Sequence, residues 1–264
     1  MKKVIGTIIL IIAIICFGWS AFSLGKYAWQ TWTTQKNLDN LADKVNNDTI
    51  SIPDTDKESG ESEDPVSESE AMMEKYGELY KENKDFIGWL SVEGTKINYP
   101  VMYTPNDPEY YLRKNFDGDY DIGGMLFVDA RCTFNPTSTD TIIYGHHMNN
   151  GTMFGPLMDF QDNDYLKKHT TITFDTIYRP GTYKIFASFQ SKAYDPDSEE
   201  FKYYDFINAE TAYDFEEYLN NIKNLSLYYD EENAPSFGDE IITLSTCDYY
   251  TTDGRFAVLA KRIK

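Results

Sequence analysis

Residues 240–263 read EIITLSTCDYYTTDGRFAVLAKRI. Two runs rich in Ile, Leu, Val and Thr, 240–246 and 256–263, flank a stretch of Asp, Tyr, Thr and Gly. That is the composition of two strands joined by a turn. The first run delivers Cys247 at its end, and Arg255 follows eight residues later, opening the second. A turn over 248–254 would return the chain and bring Arg255 back beside Cys247. Strand ends that hold side chains at a common rim are rigid places for a site.

Upstream, further β-like runs occur at 97–102, 124–129, 141–146, 170–174 and 183–191, separated by short clusters of Gly, Asn, Asp and Pro. Such spacing points to a closed or sandwich β architecture. Two segments carry helical spacing instead. Met72, Met73, Tyr76, Leu79 and Tyr80 predict a helix from about 69 to 83. Phe215, Tyr218, Leu219 and Ile222 share one face and predict another over 209–223, between two late strands. The folded region therefore reads as mainly β, a barrel with helical decoration, and not as an alternating α/β fold.

The N-terminus is of a different kind. Residues 4–24, VIGTIILIIAIICFGWSAFSL, contain no charge. A helix of that length rises about 30 Å, the thickness of a bilayer hydrocarbon core. Lys2 and Lys3 precede it and only Lys26 follows closely, which keeps the N-terminus cytoplasmic and sends the rest outside. A cleaved signal peptide is the other reading, but its apolar region usually runs about 7–15 residues. Trp19, Trp29 and Trp32 suit interfacial anchoring. Residues 26–47 read as a polar, partly helical stalk. Between 48 and 70 there are nine acidic residues against the single Lys57, with few large apolar ones. Such a segment buries too little surface to offset its ordering entropy, so it reads as a spacer. The expected organisation is an anchor at 1–25, a stalk and linker at 26–68, and a catalytic domain at 69–264.

Composition narrows the function. Aromatics make up 16% of the chain, enough to fill a real core, and the net charge is −19. The negative charge argues against nucleic acid, whose phosphates need clustered Lys and Arg. Three scattered cysteines, Cys16, Cys132 and Cys247, form neither a disulfide framework nor a C-x-x-C metal site.

Two strand ends carry reactive side chains: TIIYGHHM (141–148) presents His146 and His147, and IITLSTC presents Cys247. A thiolate attacks a carbonyl well, but a free cysteine is mostly protonated near neutrality. A neighbouring imidazole takes that proton and later gives one to the leaving amine. The oxyanion that develops needs a fixed cation or N–H donors, and a guanidinium supplies both. Each residue also has a plain structural reading: a buried thiol, a hydrogen-bonded surface histidine, an exposed cation at a strand start. Strand alternation points His146 and His147 to opposite sides, and puts Ser245 on the face of Cys247. His169, before a strand and outside any motif, reads as structural.

TLSTC (243–247) with Arg255 after it, and YGHHM (144–148), closely resemble the sortase family. NKDFIGWLSVEGTKINYPVM (83–102), YYL (110–112) and HMNNGTMFGPL (147–157) resemble its class B, and the resemblance covers about 70–264. It implies an eight-stranded sortase β-barrel with an N-terminal helical extension and a helix between strands 6 and 7. It implies an enzyme outside a Gram-positive membrane that cleaves a C-terminal sorting motif after Thr. The acyl group would pass through a thioacyl bond on Cys247 to an amine of peptidoglycan or its precursor. Cys247 would be the nucleophile, His146 the general acid/base and Arg255 the oxyanion stabiliser. Leu112, Tyr144, Ser245, Phe201 and Lys202 would line the substrate groove. Pro108 stands where some class B enzymes have an Asn that helps bind the motif, so their preference does not transfer. No metal or cofactor is implied, and Cys132 is expected to remain a free thiol. Two other functions fit the same resemblance: a pilin-polymerising sortase, and a tethered binding protein on a silent barrel.

Overall fold

The computed structural model describes residues 2–47, 65–247 and 252–264. Most of the acidic linker read from the sequence, and the centre of the turn after Cys247, lie outside the described residues. The chain divides into two units, Met1–Asn40 and Leu41–Lys264. Helix α1 (Lys2–Asn47) is continuous, so the expected anchor and stalk are one helix. Apolar side chains in its N-terminal half, among them Ile9, Ile14 and Phe17, stand more than half exposed. The helix is long and apolar enough to cross a membrane.

Among the described residues, the second unit is built on nine strands: β1 (Phe86–Val92), β2 (Asn98–Met102), β3 (Leu126–Val128), β4 (Asp140–Tyr144), β5 (Thr171–Thr176), β6 (Thr182–Lys192), β7 (Ser226–Tyr229), β8 (Ile241–Cys247) and β9 (Gly254–Arg262). Their order is β5-β1-β2-β3-β4-β8-β9-β6-β7, and a further β5–β6 pairing closes the first eight into a barrel. Strand β6 makes this possible through its length. One edge pairs with β9 throughout, while the other gives residues 182–184 to β5 and 187–189 to β7. The result is the eight-stranded barrel that the resemblance implies, with β7 as an added strand outside the ring.

Seven of the nine strands coincide with the apolar runs. Strand β1 was not among them, because six of its seven residues are buried and the run shows no alternation. Strand β7 has only four residues and a single partner, β6. Helix α2 (Pro65–Glu82) precedes the barrel and buries Met72, Tyr76 and Leu79, a spacing of one helical face. A single turn, α3 (Asn163–Leu166), precedes β5. Helix α4 (Ala212–Leu225) lies between β6 and β7 as expected, but begins three residues later than the hydrophobic spacing suggests. Thr211 sets that start: its side chain caps the Asp214 amide while the Asp214 carboxylate returns to the Thr211 amide. Phe215, Tyr218 and Ile222 then enter a buried cluster with Phe186, Phe189 and Tyr203. Each such side chain contributes about 1.5–3 kcal/mol of transfer free energy, which fastens α4 to the barrel.

Candidate active site

Strands β4 and β8 are parallel, with Tyr144 opposite Ser245. They therefore end at the same rim. His146 lies two residues beyond Tyr144, and Cys247 two beyond Ser245, so both fall at one level of the ladder. The pairing continues past β4, as the Gly145 amide donates to the Ser245 carbonyl (3.2 Å) and Thr246 Oγ1 donates to the Gly145 carbonyl (2.8 Å). Gly145 is required there. A Cβ on it would meet Leu126 Cδ2 at 2.4 Å and the Phe154 ring at 2.7 Å.

Strand β9 runs antiparallel to β8 and starts at this rim, with Arg255 directly opposite Cys247. Arg255 Nη1 donates to the Gly254 carbonyl at 3.0 Å and lies 3.7 Å from Cys247 Sγ. Cys247 is a free, half-buried thiol. His146 Nε2 lies 2.8 Å from the Leu112 carbonyl oxygen. A carbonyl only accepts, so Nε2 carries the ring proton, and in the neutral imidazole Nδ1 is left as the base. Burial pushes the His146 pKa below its ordinary value, with Arg113 adding to the effect and the Leu112 carbonyl opposing it.

His146, Cys247 and Arg255 line one cleft of about 550 Å³. Pro108, Leu112, Tyr144 and Ser245 line it as well. Ser245 is almost fully buried, and its Oγ shares a 2.6 Å hydrogen bond with Tyr203 Oη. Phe201 and Lys202 stand outside the lining. The Phe201 ring packs against Tyr218, at 6.0 Å between centroids. Lys202 Nζ donates to the carbonyls of Pro196 (2.7 Å) and Ser198 (2.9 Å), closing its own loop. Their neighbours Tyr203 and Tyr204 line the cleft instead. Asp129 and Arg131 are further lining residues that the sequence reading did not single out. Their D-x-R spacing just after a strand was the available signal.

Cys132 is buried and unbridged, with Sγ 3.5 Å from the Asp140 carbonyl oxygen. Burial pushes its thiol up to about 12, which keeps it protonated and unreactive. His147 pairs across a bridge with Met153 and is absent from the cleft lining.

The chain matches the family model of the sortase domain over residues 90–263. Sortase B of Listeria monocytogenes is 37% identical over 171 residues, which cover 65% of this chain and 66% of that protein. Sortase B of Staphylococcus aureus is 32% identical over 197 residues, covering 74% of this chain and 77% of that one. A solved Staphylococcus aureus sortase B–substrate complex superposes with a TM-score of 0.71 at 27% identity, covering 89% of this chain and 98% of the other. The closed barrel, the shared rim and these matches lead to one assignment: this chain belongs to the sortase family of transpeptidases, in its class B group.

Proposed function

We propose that the chain cleaves a C-terminal sorting motif after Thr and transfers the acyl group to a cell-wall amine. The observation that carries this reading is the shared rim, with Tyr144 opposite Ser245 and Cys247 opposite Arg255. Cys247 gives its thiol proton to His146 Nδ1 and, as thiolate, attacks the Thr carbonyl carbon, while the carbonyl electrons move to oxygen. Arg255, held by the Gly254 carbonyl, stabilises that oxyanion. Collapse breaks the C–N bond while His146 protonates the departing amine, leaving a thioacyl enzyme. An amine of peptidoglycan or its precursor then attacks the thioester, loses a proton to His146 and releases Cys247. Leu112, Tyr144 and Tyr203 shape the groove that holds the motif. Helix α1 anchors the chain as a single span, N-terminus cytoplasmic, with the catalytic unit outside a Gram-positive cell.

A peptide-library cleavage assay with and without added amines tests this reading. Cys247→Ala abolishes cleavage, His147→Ala keeps substantial activity, and added amine appears in the product. Normal cleavage by Cys247→Ala would falsify the mechanism.

A further inference from the structure

We propose that Arg131 is a positioning residue that braces one wall of the substrate groove from the strand leading to His146. The inference rests on the groove assigned above.

Asp129 follows β3, and its amide donates to the Ile142 carbonyl of β4 at 2.9 Å. Its carboxylate takes a two-pronged bond from Arg131, Nε to Oδ1 at 2.9 Å and Nη2 to Oδ2 at 2.8 Å. Tyr144 Oη of β4 donates to the same Oδ2 at 3.0 Å. Arg131 Nη2 also donates to the Tyr204 carbonyl at 2.5 Å, across to the loop between β6 and α4. A polar chain thus runs from Tyr144, two residues before His146, through Asp129 and Arg131 to Tyr204. All four line the cleft.

An ordinary surface ion pair contributes little. The Arg131–Asp205 contact, at 3.5 Å between two exposed side chains, is of that kind. The Asp129–Arg131 pair differs, because the carboxylate side chain is only 10% exposed and the bond is bidentate. Burial raises the Asp129 pKa, but the bonds from Arg131 and Tyr144 outweigh it and hold the carboxyl below its ordinary range. Asp129 therefore stays charged at neutral pH and keeps the guanidinium in place.

The ends of the loop are held by the Ala193 amide, which donates to the Asp253 carbonyl, and by bonds of Ile207, Asn208 and Ala209 to Thr139 and Asp140. Between 194 and 206 the described residues give it few other polar ties to the barrel wall. Tyr203 Oη bonds Ser245 Oγ, two residues before Cys247. The Tyr194 amide donates to Tyr204 Oη at 2.9 Å, which closes the loop on itself without fixing it to β3 or β4. Removing Arg131 leaves the middle of the wall, between those held ends, on the Tyr203 tether and apolar packing. Substrate must then order the wall as it binds, a cost that appears in binding and not in bond making.

The test uses the full-length chain in detergent micelles and a quenched peptide that the wild type cleaves. Arg131→Met raises KM about tenfold, the equivalent of about 1.4 kcal/mol, and keeps kcat within about twofold. Hydrogen exchange quickens over 194–206, while alkylation of Cys247, followed by peptide mapping, keeps its rate. Arg131→Lys falls between the two, because an ammonium keeps the charge but not the fork. Asp205→Ala behaves as wild type. Unchanged KM in Arg131→Met overturns the proposal, as does a kcat loss equal to the KM change. Should Arg131→Met fail to fold, wild-type KM and exchange in Arg131→Lys overturn it equally. If no peptide is cleaved, unchanged exchange over 194–206 decides against it. These outcomes leave the role of Cys247 standing, and that role fails on the Cys247→Ala result alone.

Discussion

The main-chain carbonyl of Leu112 accepts from His146 Nε2 at 2.8 Å, so a backbone group orients the ring. Gly124 lets that carbonyl stand where it does. Its φ is +57°, and a Cβ there would lie 2.5 Å from the carbonyl oxygens of both Tyr111 and Leu112. Gly124→Ala must therefore displace the Tyr111–Leu112 turn as well as strain its own backbone. The expected result is a loss of stability of about 1–3 kcal/mol, with cleavage falling by about 10- to 100-fold as the base loses its orientation. Thermal unfolding and peptide kinetics on one preparation check both. Normal turnover in a destabilised variant would show that the ring needs no such partner.

Burial sets the acid behaviour of His146. The imidazolium is disfavoured inside the cleft and beside Arg113, so the folded pKa lies below the ordinary 6.5. Between the two values the unfolded chain binds more protons than the folded one. The stability this group contributes is therefore present above pH 6.5 and is lost as pH falls through the folded value. An NMR titration of His146 in Cys247→Ala is expected to place it below a free histidine. A midpoint at or above 6.5 contradicts the burial argument.

The site was legible where chemistry sits in short local motifs on well-formed strands. TIIYGHH and IITLSTC each place a reactive residue at a strand end, whereas the parallel pairing of β4 with β8 that brings the two level is seen only in the fold. Strand β1 was hidden because burial along nearly its whole length removes the period-2 signal. Phe201 and Lys202 sit on the loop that supplies Tyr203 and Tyr204 to the cleft. Packing against Tyr218 and capping of the loop carbonyls take them elsewhere, and spacing alone reveals neither. The Arg131–Tyr204 contact joins residues 73 positions apart and depends on how two loops meet. No local pattern reports such a meeting.

Arg255 depends on its geometry as much as on its charge. Nη1 bonds the Gly254 carbonyl at 3.0 Å and stands 3.7 Å from Cys247 Sγ. A lysine at this strand start keeps one positive charge but cannot hold a main-chain carbonyl and an oxyanion in one rigid plane. Arg255→Lys is expected to lower kcat by about 10²-fold, the size of effect seen when one oxyanion donor is removed. KM should change much less. Single-turnover measurement of thioacyl formation separates the chemical step from binding, and near-native acylation would contradict the role.

Asp140 is a fully buried carboxyl at the end of β4 away from this rim, and it should make the barrel sensitive to alkali. Oδ2 accepts from Thr243 Oγ1 (2.7 Å) and from Tyr218 Oη of α4 (3.2 Å), whereas Oδ1 has no hydrogen-bond partner among the described residues. Burial pushes the carboxyl up from 3.8 to about 7. The folded chain thus keeps a proton that the unfolded chain has already released. The associated stability is complete below pH 3.8 and is lost as pH rises through about 7. Between pH 5 and pH 8 the linkage amounts to roughly 3 kcal/mol. Asp140→Asn keeps an acceptor for both hydroxyls and removes the titration. Its stability relative to wild type should therefore rise between those two pH values, whatever constant cost the amide adds. Denaturant midpoints of both proteins at each pH decide the matter: a wild-type-to-variant difference that stays constant would mean the carboxyl does not titrate in that window.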